Sequence, residues 1–149
     1  MPARLKVLVA EDSRVSQIVA RRLLEKLGHL PVLACNGAEA LEKLRSETFD
    51  LVLMDCQMPE LDGYDVTRAL RSGGPPLDAT LPVIALTASD SEEDRERCLD
   101  AGMDHYLVKP LTLESLTRAI RETLGEVPGP EGQQASSGGS PAGRGVQPG

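Results

Sequence analysis

Five short apolar runs punctuate the chain, each bounded by polar or turn residues: 5–10 (LKVLVA), Leu30–Ala34 (LPVLA), 51–54 (LVLM), 82–86 (PVIAL) and His105–Val108 (HYLV). Runs of this length read as strands buried on both faces. The stretches between them carry apolar residues at helical spacing instead. Over 14–27 these are Val15, Ile18, Val19, Leu23, Leu24 and Leu27, with Ser13 as the cap and Gly28 as the stop. Asn36-Gly37 turns into a helix carrying Ala38, Leu41 and Leu44, and a third helix spans about 62–71 with Val66 and Leu70 inward. The breaker cluster SGGPP at 72–76 predicts a loop. A fourth helix opens at Asp90 or Ser91, with Glu92, Glu93 and Asp94 in its first turn, where acids favour the helix dipole. Only Cys98 and Leu99 anchor its apolar face, so it is predicted to be the loosest. The last helix, 112–124, places Leu113, Leu116, Ile120 and Leu124 on one face.

Strand–helix alternation repeated five times predicts an α/β fold, a parallel sheet with helices on both faces. Right-handed crossovers and short connections leave few topologies. A doubly wound five-stranded sheet in the order 2-1-3-4-5 is preferred, because its switch point falls between the first and third strands, where acids lie. This domain occupies 1–125. From 126 to 149 the chain is dense in Gly, Pro, Ser and Gln without apolar periodicity, which predicts a disordered tail or linker rather than an output domain.

Composition narrows the function classes. The 149 residues suffice for one domain with a real core plus a tail, and with 2% aromatic residues that core must be aliphatic. A formal net charge of −7 and no basic tract argue against direct nucleic-acid binding, which rests on phosphate neutralisation. Cys35, Cys56 and Cys98 show no CxxC spacing, and His29 and His105 are isolated, so a zinc site has little support. Free thiols in a reducing compartment fit better. No signal peptide and no membrane span are visible, so the expected location is cytoplasmic.

The carboxyl ends of the predicted strands bring polar residues to one edge of the sheet: Glu11 and Asp12, then Asp55, Thr87 and Lys109. Singly, each has a bland reading as a solvated turn, a cap or a surface charge. Jointly, three clustered carboxylates repel one another. They make sense around a hard divalent cation such as Mg2+, which takes oxygen ligands and often uses one or two carboxylates plus a phosphoryl oxygen. An Asp in that setting can act as a nucleophile toward phosphorus. Lys109 and the metal would balance charge on the equatorial oxygens, and Thr87 could donate to one of them.

Five stretches sharpen this reading: VLVAEDS at 7–13, NGAEAL at 36–41, MDCQMPELDG at 54–63, IALTA at 84–88 and AGMDHYLVKP at 101–110. Together, over roughly 6–124, the chain resembles the receiver domain of two-component response regulators. The wording MDCQMP and AGMD-YLVKP is most similar to receivers of hybrid sensor histidine kinases. The resemblance implies the flavodoxin-like receiver fold, with Asp55 as phosphoacceptor and Asp12 as a direct Mg2+ ligand. It implies that Glu11 acts on the metal largely through water, that Gln57 lends its backbone carbonyl, and that Lys109 pairs with the phosphoryl group. Pro110 is expected to follow a cis peptide bond. Thr87 and Tyr106 are the implied switch pair, and the small Ala88 leaves room for the movement. The implied donor is a histidine kinase or histidine phosphotransfer protein in a phosphorelay. Output is expected through a downstream protein partner on the surface of the fourth helix, fifth strand and fifth helix. Beyond self-phosphorylation and self-dephosphorylation no enzymatic activity is expected. His105 stands where regulators that dimerise on DNA often carry a second acid, which argues against that dimer mode. The start at Met1, directly before the first strand, suits either a single-domain regulator or a receiver cut from a larger hybrid kinase.

Two other readings share some of these residues. A phosphatase of the haloacid-dehalogenase type also uses an Asp nucleophile with Thr and Lys, but it needs a second acid where this chain has Gln57. A degenerate receiver acting as a fixed binding module conflicts with the retention of all the site residues.

Overall fold

A computed structural model describes residues 4–125, so the tail predicted over 126–149 lies outside the described residues. The elements run β1 (Lys6–Ala10), α1 (Arg14–Lys26), β2 (Leu30–Ala34), α2 (Gly37–Ser46), β3 (Leu51–Asp55), α3 (Gly63–Ser72), β4 (Val83–Thr87), α4 (Glu92–Ala101), β5 (His105–Val108) and α5 (Leu113–Leu124). All strand pairs are parallel and the sheet order is β2-β1-β3-β4-β5, as the sequence predicts.

The apolar runs form central strands because both faces of the sheet are covered. Every residue of β3 and β4 is buried. Successive side chains alternate between faces. Leu8, Val52, Met54 and Ala85 pack under α2, α3 and α4 with Val66, Leu70 and Cys98. Val7, Val9, Leu53, Ile84 and Leu86 pack under α1 and α5 with Leu24, Leu116 and Ile120. β3 and β4 each run one residue past the predicted apolar stretch, to Asp55 and Thr87, because backbone pairing continues where the side chains turn polar (Asp55↔Leu86, Thr87↔Val108).

Each helix begins on a side chain that satisfies orphan backbone N–H groups. Ser13, Asn36 and Ser91 cap α1, α2 and α4, and reciprocal capping boxes open α3 (Asp62 with Asp65) and α5 (Thr112 with Ser115). Arg71, in the last turn of α3, donates to the carbonyls of Gly102, Ala79 and Leu81 and pairs with Asp104 at 2.9 Å. It thereby ties the breaker loop and the α4–β5 turn to α3.

Four apolar assignments are corrected. Leu99 does not anchor α4: it is 68% exposed, whereas Cys98 and Ala101 are buried. Adjacent helical residues point about 100° apart, and the buried side of α4 falls on Cys98 and Ala101, which turns Leu99 to solvent. Val15 is 72% exposed and Val19 is exposed too, because these residues line an open groove with Lys109, Pro110 and Leu111 instead of packing under another element. Leu113, at the first position of α5, is likewise exposed.

Candidate functional site

The candidate site lies at the carboxyl edge of the sheet, across the β1–β3 switch point. Glu11 leaves β1 with its backbone N–H bonded to the Ala34 carbonyl, and its side chain is fully buried. Asp12 is exposed beside it. Asp55 closes β3 and is buried, its Oδ1 accepting from the Gln57 N–H at 3.1 Å. Oxygen atoms of Glu11, Asp12 and Asp55 all lie within 4.8 Å of one another. Lys109, at the end of β5, places Nζ 2.8 Å from Glu11 Oε2 and 3.4 Å from Asp55 Oδ1. Its backbone N–H bonds to the Thr87 carbonyl at 2.8 Å, which holds the β4 and β5 ends together. The Lys109–Pro110 bond is cis, as predicted.

Gly63 explains how Asp55 is seated. A side chain there would collide with the Asp55 carbonyl oxygen, so only glycine lets α3 start this close to the strand end. The Gly63 N–H in turn bonds to the Cys56 carbonyl at 3.2 Å.

Electrostatics follow from burial. Desolvation, reinforced by the bond and charge of Glu11, pushes the Asp55 carboxyl up to about 7, and the Gln57 N–H and the Lys109 charge only partly offset this. For Lys109, burial works against the ammonium, but Glu11 and Asp55 outweigh it and the value is raised. The donor set suits a hard cation: carboxylate oxygens alone, with the buried Glu11 Oε2 lacking a well-directed hydrogen bond despite its ion pair.

Thr87 is buried, its Oγ1 donating to the Ser89 carbonyl and accepting from the Ser89 N–H. Ala88 and Gln57 are exposed at the rim. Tyr106 is half-buried, with its hydroxyl donating to Asp90 Oδ1 at 2.8 Å and accepting from Arg95 Nε at 2.6 Å. The fold thus gathers Glu11, Asp12, Asp55 and Lys109 at one point, with Thr87 and Tyr106 on the adjoining β4–β5 side. Sequence reasoning missed Asp90 and Arg95 as partners of Tyr106, and missed the exposed Val15 and Val19 beside Lys109.

The model of the response regulator receiver domain matches residues 7–121. The chain belongs to this family. Among curated relatives, this receiver domain is 40% identical over 118 residues to the hybrid signal transduction protein dokA of Dictyostelium discoideum, covering 79% of the chain and 7% of that protein. It is 45% identical over 118 residues to a gliding motility regulatory protein of Myxococcus xanthus, covering 78% of the chain and 15% of that protein. The chain therefore spans only a small part of these relatives. Among solved structures, it is similar to the receiver domain of a sensor histidine kinase from Pseudomonas aeruginosa PAO1 with a magnesium ion coordinated in its active-site cleft: 38% identity, TM-score 0.74, covering 83% of this chain and 100% of that one. Among the described residues no helix is long and apolar enough to cross a membrane.

Proposed function

We propose that this receiver domain accepts a phosphoryl group on Asp55 from the phosphohistidine of a histidine kinase or histidine phosphotransfer protein, and that the modified domain changes its affinity for a downstream protein. The observation that carries the reading is Lys109 Nζ 3.4 Å from Asp55 Oδ1, with Glu11 and Asp12 oxygens in the same cluster. An Asp55 oxygen attacks phosphorus, the P–N bond breaks, and the imidazole leaves with the bonding electrons and takes up a proton. Lys109 balances charge at the Asp55 oxygen, and Thr87, ending the strand beside β3, offers a hydroxyl to the new phosphoryl oxygens. Glu11, Asp12, Asp55 and the Gln57 carbonyl would hold Mg2+, which when bound supplies charge neutralisation and an oxygen template. Gln57, two residues after Asp55, offers no general acid, so steady turnover of phosphate esters is not part of the proposal.

The donor's docking site is the groove of about 300 Å³ formed by Val15, Ser16, Val19 and Leu111 beside Lys109. Exposed apolar residues beside Glu11 and Lys109 suit a partner that must bring its phosphohistidine into line. Output leaves through α4, β5 and α5 near Tyr106, where Ala88 leaves space for the β4–α4 loop to move and Pro110 fixes the chain after β5. A cytoplasmic setting fits the three free cysteines.

Incubation with magnesium and acetyl phosphate, read by intact mass, tests the assignment. Wild type gains one phosphoryl group and Asp55→Asn gains none. Equal gain in both proteins, or label mapped to a serine, overturns it.

A further inference from the structure

Cys56 and Cys98 stand 42 residues apart in the chain, yet their sulfurs approach to 3.9 Å and both side chains are buried. Cys56 directly follows Asp55, and its backbone is fixed from both sides, donating to the Leu86 carbonyl and accepting from Gly63. Cys98 is the larger of the two buried residues within α4, since Leu99 points outward. The thiol pair therefore joins the strand that carries the candidate phosphoacceptor to the helix next to Tyr106. A disulfide needs its sulfurs at ~2.05 Å, so side-chain rotation has to close a gap of roughly 2 Å.

We propose that Cys56 and Cys98 are a redox modification site, oxidised by low-molecular-weight disulfides to an intramolecular disulfide that tethers α4 to β3. The Cys98 thiolate attacks one sulfur of the small disulfide, forming a mixed disulfide; the first small thiolate leaves and takes up the proton that Cys98 lost. Cys56 then attacks the Cys98 sulfur, the new S–S bond forms, and the second small thiol leaves with the proton from Cys56. Two electrons pass from the pair to the oxidant, which is reduced to two thiols.

Access governs the rate. Both thiols are buried, so neither meets an oxidant readily while α4 is seated. α4 presents acids over its first turn and few apolar anchors, which places it among the elements that open at low cost. Its opening bares Cys98 first. Cys35 is exposed at the end of β2 and reacts separately, so it is removed in the test.

The bond itself depends only on the geometry of the pair; its consequence for signalling rests on the phosphorylation reading. The 149-residue Cys35→Ser chain is incubated with 2-hydroxyethyl disulfide and read by intact mass and peptide mapping. The expected product has lost two hydrogens and carries a Cys56–Cys98 link, which Cys98→Ala abolishes. Hydrogen exchange over 91–106 is then followed with magnesium and beryllofluoride, before and after reduction by dithiothreitol. Oxidised protein is expected to lose most of the beryllofluoride response, and reduction to restore it. Separate adducts on each cysteine without a link overturn the site, and a linked protein with the full response overturns the tether. A reduced protein that ignores beryllofluoride overturns the functional reading and with it the tether's consequence, while the mass still decides the bond.

Discussion

The Lys109 ammonium sits 2.8 Å from Glu11 Oε2, a carboxylate with no solvent exposure, and thus serves as countercharge to a buried acid. A cation entering the cluster competes with that ammonium for the same oxygens. Lys109→Met should therefore act in two opposite directions. Without metal, breaking the pair should destabilise the fold by about 2 kcal/mol, below the usual figure for buried pairs because Lys109 is partly exposed. With metal, removing a unit charge a few ångströms away is worth at least ~1 kcal/mol, so magnesium should bind roughly fivefold tighter. Thermal melts across a magnesium titration read both effects. A smaller magnesium-induced rise than in wild type would show that lysine and metal do not compete.

Asp55 gives the metal-free protein a pH signature. Its folded value of about 7 lies above the ordinary carboxylate value of 3.8, so between those limits the native state binds more protons than the unfolded chain. Its contribution is thus fully present below about pH 4 and is lost as pH rises through 7. Asp78, with its side-chain and backbone bonds to Thr80, has a depressed value and works in the opposite sense below pH 4, so the comparison belongs above that range. The melting temperature of Asp55→Asn relative to wild type should climb from pH 5 to pH 8 without metal. A difference that stays flat with pH would mean Asp55 is not protonated at the lower end.

Gly63 ties the start of α3 to the nucleophile. Gly63→Ala forces a methyl group against the Asp55 carbonyl and the Met54 side chain, both packed with no room to yield. Overpacking of this kind costs ~1–3 kcal/mol, and here the displaced backbone carries the site. Loss of stability should come with slower phosphorylation from acetyl phosphate. Stability lost with an unchanged rate would separate the helix start from the site.

Much of this was legible because strand ends in an open parallel sheet share one edge. Apolar runs too short for helices located β1, β3 and β4, and the polar residue ending each run located Glu11, Asp55 and Thr87. Orientation was less legible. Nothing in the pair Cys98-Leu99 says which of the two faces the sheet, and helical spacing in α1 cannot reveal that Val15 lies beside an open groove. The partners of Tyr106 were invisible for another reason: Asp90 and Arg95 come from a loop and a polar helix, where no periodicity marks a contact. The Cys56–Cys98 approach depends on how α4 seats against β3, which no local pattern records.

The final prediction concerns how a change at Asp55 reaches α4. In this structure the Thr87 hydroxyl is satisfied locally, donating to and accepting from the Ser89 backbone. The Tyr106 hydroxyl is held by Asp90 and Arg95, with the Arg95 guanidinium 5.3 Å from the ring centroid. These contacts join the β4–α4 loop, β5 and α4 at one hydroxyl. A phosphoryl group can shift this arrangement only through an interaction that differs between two states. Thr87 supplies one if its hydroxyl exchanges Ser89 for a phosphoryl oxygen. Thr87→Ala should then still accept a phosphoryl group on Asp55 but lose most of the beryllofluoride-induced change in hydrogen exchange over 91–106. Arg95→Ala should act on the other side of the balance. Without the guanidinium the tyrosine loses its hold on α4, and exchange over the same segment should rise severalfold with no phosphoryl mimic present, a modest effect because the contact is exposed. Wild-type behaviour in Thr87→Ala would place the coupling in another residue, and unchanged basal exchange in Arg95→Ala would show that the Asp90–Tyr106–Arg95 contact does not hold α4.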